Sequence, residues 1–346
     1  MQHNLVLTDI MGYGNGTMRE KFIRSCTLPD QAFTFEWFYY NWMRHDLKKF
    51  DRKFACLDMA NNNVSVEFQQ ELLRRVDVLA NENFFIILSN LWETDDSSPW
   101  LVKHREILKK YASRLIVLNG GDCFFWHMMH EMYHNKQMNF DHSTKKYNFL
   151  FLNKTSRPHR KKFYDLIKKS DVLDSCIHSF LDEPHNKKLP EEYELPWVDR
   201  ANYPRVGYDQ QIFEKPYNDS GISIVSESMV EGKEIFLTEK IWKPIIAGQP
   251  FVVHGQPLYL QHLRSLGFQT FNNFWDESYD CELDFEKRTN KLFVLLKTLS
   301  STDWNKLYAD SATQRLHNIN NFFNKERLIG SVNEKILGLL KFADRG

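Results

Sequence analysis

The sequence predicts an α/β protein made of parallel sheets with crossover helices and divided into two domains. Short apolar runs of strand length alternate along the chain with segments of helical periodicity. The length of 346 residues suits two domains of ordinary size. Hydrophobic residues make up 42% of the chain and aromatic residues 14%, enough for two cores. We expect domains at residues 1–146 and 147–325, followed by a C-terminal helix at 326–346.

The first half reads as strands separated by helices. A strand over residues 4–9 precedes a glycine-bearing turn at 12–16, as at the start of a Rossmann-type unit. The glycines are spaced GxGxG rather than GxGxxG, so a tight loop without a ligand fits equally well. Further predicted strands cover residues 54–59, 84–89 and 115–118, and predicted helices cover 66–79 and 99–112.

The second half opens with a strand at 147–153 and a strongly basic segment. Residues 151–170 hold seven Lys or Arg against one acidic residue. Arg157 and Arg160 fall in the turn between this strand and the next helix, and guanidinium groups suit phosphate oxygens. An exposed basic helix face, or a nucleic-acid patch, remains an alternative. Residues 182–218 carry five prolines and predict a long loop over a cleft.

Acidic and basic residues then follow the strand predicted at 220–225. That strand brings Glu227 and Ser228 to its carboxyl end, where α/β proteins bind ligands. Thr238 is a predicted N-cap, so the helix after it would present free backbone N–H groups to an anion such as a diphosphate.

Glu239, Lys240 and Lys243 bring one carboxylate and two ammonium groups to the first turns of the helix. A carboxylate can accept hydrogen bonds from ribose hydroxyls, and ammonium groups can meet phosphate. The alternative is a solvated i,i+4 pair of Glu239 and Lys243, worth ~0.3 kcal/mol. Pro244 should bend the helix or remove a hydrogen bond. The helix should end at Gly248 and feed a strand at 251–253; a short helix at 258–266 and helices from 285 onward follow.

This second half also resembles a known family. The order Glu227-Ser228, Phe236, Thr238-Glu239-Lys240, Gly248, Pro250 and an apolar run resembles the donor-binding motif of fucosyltransferase-like and exostosin-like glycosyltransferases. The stretch at 266–280 looks like their bacterial or phage branch. The resemblance implies a GT-B fold, in which two Rossmann-like domains face each other across a cleft. The donor nucleotide would lie on the second domain, and the C-terminal helix would pack back on the first.

The resemblance implies the transfer of a sugar, such as a hexosyl, pentosyl or fucosyl group, from a nucleotide-sugar donor to a hydroxyl acceptor. The acceptor would be a saccharide, a lipid-linked hydroxyl or modified DNA, and no cofactor is expected. In the family an arginine near a helix start contacts the donor diphosphate, which corresponds here to Arg157 or Arg160. The chain has no D-x-D triplet, the usual metal anchor of the other transferase fold. Arg157, Arg160, Lys240 and the helix start should therefore meet the diphosphate charge, and we expect metal-independent transfer with no metal ligands.

The reaction also needs a base to deprotonate the acceptor hydroxyl. Glu93, which follows the strand at 84–89, is the first candidate. The competitors are Asp95, Asp96 and Asp122, each of which could instead be a helix N-cap. Direct in-line displacement with such a base would invert the sugar carbon.

Two alternatives remain open. His130-Glu131-x-x-His134 is a literal HExxH motif, which would make the protein a zinc metalloprotease. Gln137 and Phe140 depart from the longer metzincin signature. A phage-type transferase acting on hydroxymethylated bases would use duplex DNA as acceptor. Equal numbers of basic and acidic residues, 45 each, favour a saccharide or lipid-linked acceptor over DNA.

The cellular setting is expected to be the cytoplasm. Five scattered cysteines without a CxxC pair predict a reducing compartment. The N-terminus lacks the basic and apolar regions of a signal peptide, and no run of 18 apolar residues predicts a membrane span.

Overall fold

The described residues of the computed structural model contain two parallel β-sheets. It describes the backbone of residues 53–58, 84–89 and 115–118, together with residues 121–154, 156–180, 189, 191–193, 211–232 and 235–328. The chain divides into two compact units, Met1–His127 with Glu326–Gly346, and Met128–Lys325. The α/β class with parallel strands is confirmed. The facing of two domains across a cleft stays a prediction.

The described part of the first unit contains three parallel strands in the order β1-β2-β3. Their bounds agree with the predicted strands to within one residue. The predicted strand at 4–9 and the predicted helices at 66–79 and 99–112 lie outside the described residues. The strands are β1 at Lys53–Asp58, β2 at Phe84–Ser89 and β3 at Leu115–Leu118.

The second unit contains a four-stranded parallel sheet in the order β5-β4-β6-β7. All seven residues of β6 are buried, as expected for a central strand covered on both faces. The predicted bounds of β4 are confirmed. The strands are β4 at Tyr147–Asn153, β5 at Cys176–Phe180, β6 at Ser220–Ser226 and β7 at Phe251–His254.

In the second unit, helices pack on the sheet and bury aromatic side chains against it. The ring of Phe151 on β4 meets that of Phe163 edge-on, with centroids 5.7 Å apart. Trp242, fully buried, packs against Phe268 and Phe322. No described helix combines the length and apolar character that crossing a membrane requires. The helices are α1 at Gly121–Tyr133, α2 at Pro158–Ile167, α3 at Glu214–Asp219, α4 at Glu239–Ile246, α5 at Tyr259–Ser265, α6 at Phe285–Leu299, α7 at Trp304–Asp310 and α8 at Ala312–Phe323.

The segment predicted as a loop at 182–218 differs from that expectation where it is described. It contains most of α3, and its residues 191–193 form a 3₁₀ turn. The hydroxyl of Tyr193 donates to Asp219 at 2.8 Å, directly before β6 begins. This part of the segment therefore lies at the amino edge of the sheet, opposite the carboxyl ends where the ligand was expected.

Candidate functional site

The site lies where the chain reverses direction in the second sheet. From β4 the chain continues to β5 on one side, whereas from β6 it continues to β7 on the other. The crevice outside the carboxyl ends of two such strands is the usual ligand site of an open α/β sheet. The elements that follow β4 and β6 meet at this edge, because Arg160 of α2 donates to the carbonyl of Glu227.

Helix α4 begins as predicted, with Thr238 as its N-cap. Thr238 has extended backbone angles, and its Oγ1 accepts a hydrogen bond from the N–H of Lys240 at 3.3 Å. The helix has eight residues, about two turns, and contains Pro244. It ends in a Schellman motif in which Gly248 takes a φ of 61° and the N–H of Gln249 bonds to the Pro244 carbonyl at 2.8 Å.

Glu227 is fully buried and fixes the start of α4. One carboxylate oxygen accepts from the Thr238 N–H at 3.3 Å and from the Tyr259 hydroxyl at 2.6 Å. The other accepts from the Thr238 hydroxyl at 2.6 Å and from the Ser228 N–H at 3.2 Å. All four donors belong to the protein, so these contacts give Glu227 a positioning role. Its predicted contact with the donor stays a prediction.

Tyr259 is a site residue that the sequence reasoning missed. It begins α5, and its hydroxyl reaches the Glu227 carboxylate from beneath the crevice. The start of α5 is held by Asp280, whose two oxygens accept from the N–H groups of Leu260 at 2.9 Å and Gln261 at 3.1 Å. No local pattern distinguishes Tyr259 from an ordinary core tyrosine, because its partner lies 32 residues away.

Arg160 and His159, at the start of α2, also reach Glu227, through its backbone carbonyl. Arg160 Nε donates at 3.2 Å, and His159 Nε2 lies 3.0 Å from the same oxygen. Burial and the neighbouring charge of Arg157 lower the pKa of Arg160 to about 10, so it remains charged at neutral pH. Burial lowers the pKa of His159 to about 4, so its neutral ring donates from Nε2.

Two cationic side chains converge on Ser228. The Nη2 of Arg160 lies 3.5 Å from Ser228 Oγ, and the Nζ of Lys240 lies 3.4 Å from the same atom. These cations come from different helices, and Ser228 is half-buried between them. An anion beside this hydroxyl would meet a guanidinium and an ammonium group together, which favours phosphate oxygens.

Glu239 forms an ion pair with Lys240 and is only 5% exposed. The predicted alternative, a solvated pair of Glu239 and Lys243, therefore does not describe this carboxylate. Burial alone would raise the pKa of Glu239, but the charges of Lys240 and Lys243 outweigh it and hold the pKa below its usual value. Glu239 is thus an ionised, buried acceptor at the start of α4.

The remaining predicted residues have different positions. Arg157 is the N-cap residue of α2 and is exposed, with no capping hydrogen bond from its side chain. Glu93, Asp95 and Asp96 lie outside the described residues. Asp122 is the second residue of α1, and its side chain also lies outside the described part. The assignment of the base therefore stays a prediction.

The two histidines of the HExxH motif contact each other and backbone carbonyl groups. The rings of His130 and His134 stack with centroids 5.2 Å apart. His130 Nε2 lies 3.4 Å from the Phe323 carbonyl, and His134 Nδ1 lies 3.0 Å from the His130 carbonyl. Among the described residues, no group of three His, Cys, Asp or Glu side chains is arranged to hold a metal ion. These contacts do not favour the zinc protease interpretation.

The described part of the chain is thus an α/β protein with a cationic site at the switch point of a parallel sheet. The sequence matches no protein-family profile and no curated protein sequence. One similar solved structure is an alpha1,3-fucosyltransferase, with 10% identity, a TM-score of 0.43, and coverage of 94% of this chain and 92% of that one. Another is an alpha1,3-fucosyltransferase with GDP-fucose, with 11% identity, a TM-score of 0.36, and coverage of 87% and 91%.

Proposed function

We propose that the protein is a glycosyltransferase that moves a sugar from a nucleotide-sugar donor to a hydroxyl acceptor. The observation that carries the proposal is the convergence of Arg160 and Lys240 on Ser228 at the switch point of the sheet. Two cations from different helices, beside a capped helix start, suit a diphosphate better than a single carboxylate ligand.

The contacts of the site residues suggest which part of the donor each one would bind. Arg160, Lys240 and the first turn of α4 would hold the diphosphate, and the exposed Arg157 would join them. Glu239 would accept hydrogen bonds from ribose hydroxyls, because it is ionised and lies in the same turn as Lys240. Lys243, half-buried one turn further along, would add to the positive potential.

We propose that this cationic set meets the leaving-group charge without a metal ion. Turnover should then continue when a chelator such as EDTA removes divalent ions. A strict requirement for a divalent ion would contradict this part of the proposal.

The base is proposed to be Glu93, with Asp95 and Asp122 as competitors. A base that deprotonates the acceptor acts only in the chemical step. Glu93→Gln should therefore reduce turnover at least 100-fold while the donor dissociation constant stays within about twofold. Direct displacement would invert the sugar carbon, which product NMR can check. Unchanged turnover in Glu93→Gln would move the role to Asp95 or Asp122, tested by Asn variants.

Binding of nucleotides tests the proposal most directly. We would measure thermal stabilisation by GDP, UDP, ADP and dTDP and by their sugar nucleotides, since a ligand at a hundred times its Kd adds about 2.7 kcal/mol. At least one nucleoside diphosphate should stabilise the wild type. The absence of stabilisation by all of them at millimolar concentration would overturn the proposed function.

Variants then locate the bound nucleotide. Arg160→Met and Lys240→Met should each weaken binding about 10- to 100-fold, the equivalent of one charge-assisted hydrogen bond of roughly 1.5–3 kcal/mol. Lys168→Met is the matched control, because Lys168 is an exposed cation at the opposite end of α2. Equal effects of all three would indicate a general charge effect rather than this site.

The acceptor is proposed to be a saccharide or lipid-linked hydroxyl. DNA carrying hydroxymethylated bases is a second candidate, favoured by a groove of about 450 Å³ between α2 and α6. Lys161, Lys162 and Lys169 line this groove, although Lys162 is paired with Glu286. A gel shift at low and high salt separates the candidates, because phosphate contacts with duplex DNA weaken steeply as salt rises.

A further inference from the structure

Asn153, the last residue of β4, carries a buried amide that the contacts above leave unexplained. The residue is 4% exposed, and neither its Oδ1 nor its Nδ2 has a hydrogen-bond partner among the residues the structure describes. Its backbone carbonyl accepts from the Ser179 hydroxyl at 3.4 Å, and the residue pairs with Phe180 of β5. Folded proteins hold few such side chains, because an unpaired buried amide is destabilising.

The position of Asn153 places this amide at the candidate site. Asn153 is the last residue of β4 and pairs with Phe180, the last residue of β5, while the other neighbouring strand, β6, ends at Ser226. Ser226 directly precedes Glu227. Asn153 therefore ends the central strand at the point where the chain reverses direction.

The face of the sheet is also defined. Asn153 shares the side of Phe151, because alternate residues of a strand point the same way. The Phe151 ring packs against Phe163 of α2. The amide thus lies on the α2 side of the sheet, at the edge where α2 begins with His159 and Arg160.

An asparagine at position 153 is less favourable for folding than an apolar residue would be. The residues before it are Phe149, Leu150, Phe151 and Leu152, and a further apolar residue would have avoided an unpaired amide. The nearby polar side chains, in contrast, have partners within the protein. Ser226 Oγ lies 3.3 Å from His254 Nδ1, and the Glu227 carboxylate accepts from four protein donors. None of these described neighbours pairs with the Asn153 amide, which is therefore available to a bound ligand.

We propose that Asn153 binds the donor through this amide, as a further ligand-binding residue of the site. The inference rests on the proposed function. Nδ2 donates and Oδ1 accepts, so the amide requires a ligand group that can do both, and a sugar hydroxyl meets this requirement. Phosphate oxygens can only accept. The hydroxyl belongs either to the ribose or to the transferred sugar. Because both amide atoms are enclosed in the free protein, binding requires the side chains around them to move aside.

Asn153→Leu tests the proposal, since Leu has a similar volume and no polar group. Without ligand, Tm should be equal to or higher than that of the wild type, because an unpaired amide is removed. The Kd of the sugar nucleotide should rise at least tenfold, whichever of its hydroxyls the amide contacts. Three probes are used. The first is the nucleoside diphosphate, among GDP, UDP, ADP and dTDP, that stabilises the wild type; the second is the sugar nucleotide of that diphosphate; the third is inorganic pyrophosphate.

Asn148→Leu is the matched control in the same strand. Asn148 is fully paired, since its Nδ2 donates to the Ser300 carbonyl at 2.8 Å and its Oδ1 accepts from Trp304 Nε1 at 2.7 Å. This variant should lower Tm in the absence of ligand, while the Kd of each probe stays within twofold. Asn153 and Asn148 should therefore show opposite patterns.

The three probes identify the hydroxyl. Equal weakening of the nucleoside diphosphate and its sugar nucleotide supports a ribose contact, and weakening of the sugar nucleotide alone supports the transferred sugar. Weakening of pyrophosphate by the same factor overturns the hydroxyl assignment. A lower ligand-free Tm for Asn153→Leu with an unchanged Kd overturns the proposal and makes the amide structural. Failure of the wild type to bind any nucleotide would instead remove the proposed function, and this inference with it.

Discussion

Glu227→Gln tests how the site is held together. In the wild type, each carboxylate oxygen accepts one backbone N–H and one hydroxyl. Glutamine replaces one oxygen with an NH₂ group, which then opposes either the Thr238 N–H and Tyr259 hydroxyl or the Ser228 N–H and Thr238 hydroxyl. A hydroxyl can rotate to accept from the amide, but a backbone N–H cannot. One buried N–H therefore loses its partner in either orientation, and the remaining bonds lose their charge assistance. We expect a loss of about 2–4 kcal/mol in the free energy of unfolding.

Urea denaturation followed by tryptophan fluorescence measures this loss. Glu286→Gln is the matched control, because Glu286 is an exposed carboxylate paired with Lys162, and a surface pair contributes about 0–1 kcal/mol. Nucleotide affinity should also fall in Glu227→Gln, since the carboxylate positions Thr238 and Ser228. Equal stability of the two variants, within about 0.5 kcal/mol, would refute the reasoning that Glu227 is the buried anchor of α4.

Three further predictions concern stability. Gly248→Ala should cost about 1–2 kcal/mol, because the φ of 61° disfavours any Cβ and that atom would lie 3.0 Å from Ile319; an unchanged Tm would contradict this. Gly221→Ala should cost about 3 kcal/mol, since its Cβ would lie 2.3 Å from the Trp304 ring, and wild-type chemical stability would refute that clash. Stability should also fall as pH drops from 6.5 towards 4, because burial lowers the pKa of three histidines in the folded chain. These histidines become protonated near pH 6.5 in the unfolded chain but stay neutral in the folded chain. At pH 5 each ring with a folded pKa near 4 should therefore lower the free energy of unfolding by an amount on the order of 1–2 kcal/mol. A urea midpoint that does not change between pH 7 and pH 5 would contradict this prediction. The three rings are His142 and His159, with a pKa of about 4, and His254, with a pKa well below its usual value.

The sequence predicted those elements of the fold whose signals are local. The run at Tyr147–Asn153 is apolar and of strand length, and its predicted bounds are those of β4. Thr238 and Gly248 mark the two ends of α4, because an N-cap hydroxyl and a glycine with positive φ act within one turn. Strand β5 was missed, since its Cys-Ile-His-Ser-Phe sequence is short, half polar and at the sheet edge.

The parts of the site that depend on distant partners could not be predicted. The charge pattern pointed to Arg160 and Lys240, but their meeting at Ser228 depends on how β4 and β6 pair. Tyr259 gives no local signal, because its role at the site depends on the hydrogen bond of its hydroxyl with Glu227, which lies 32 residues earlier in the chain. Asn153 did give a signal, a polar residue ending an apolar strand, but only burial without a partner makes it informative.

Helix α4 is fixed at both ends, and this explains how the site can be ready before a ligand binds. At its carboxyl end, His142 Nε2 lies 2.8 Å from the Ala247 carbonyl, and Arg315 donates to the Gly248 carbonyl at 3.1 Å. At its amino end, Glu227 binds both the N–H and the hydroxyl of the N-cap residue. Because neither end is free to move, Lys240 keeps its position beside Ser228 without help from the ligand. Binding then costs little ordering of this helix, which favours affinity through preorganisation.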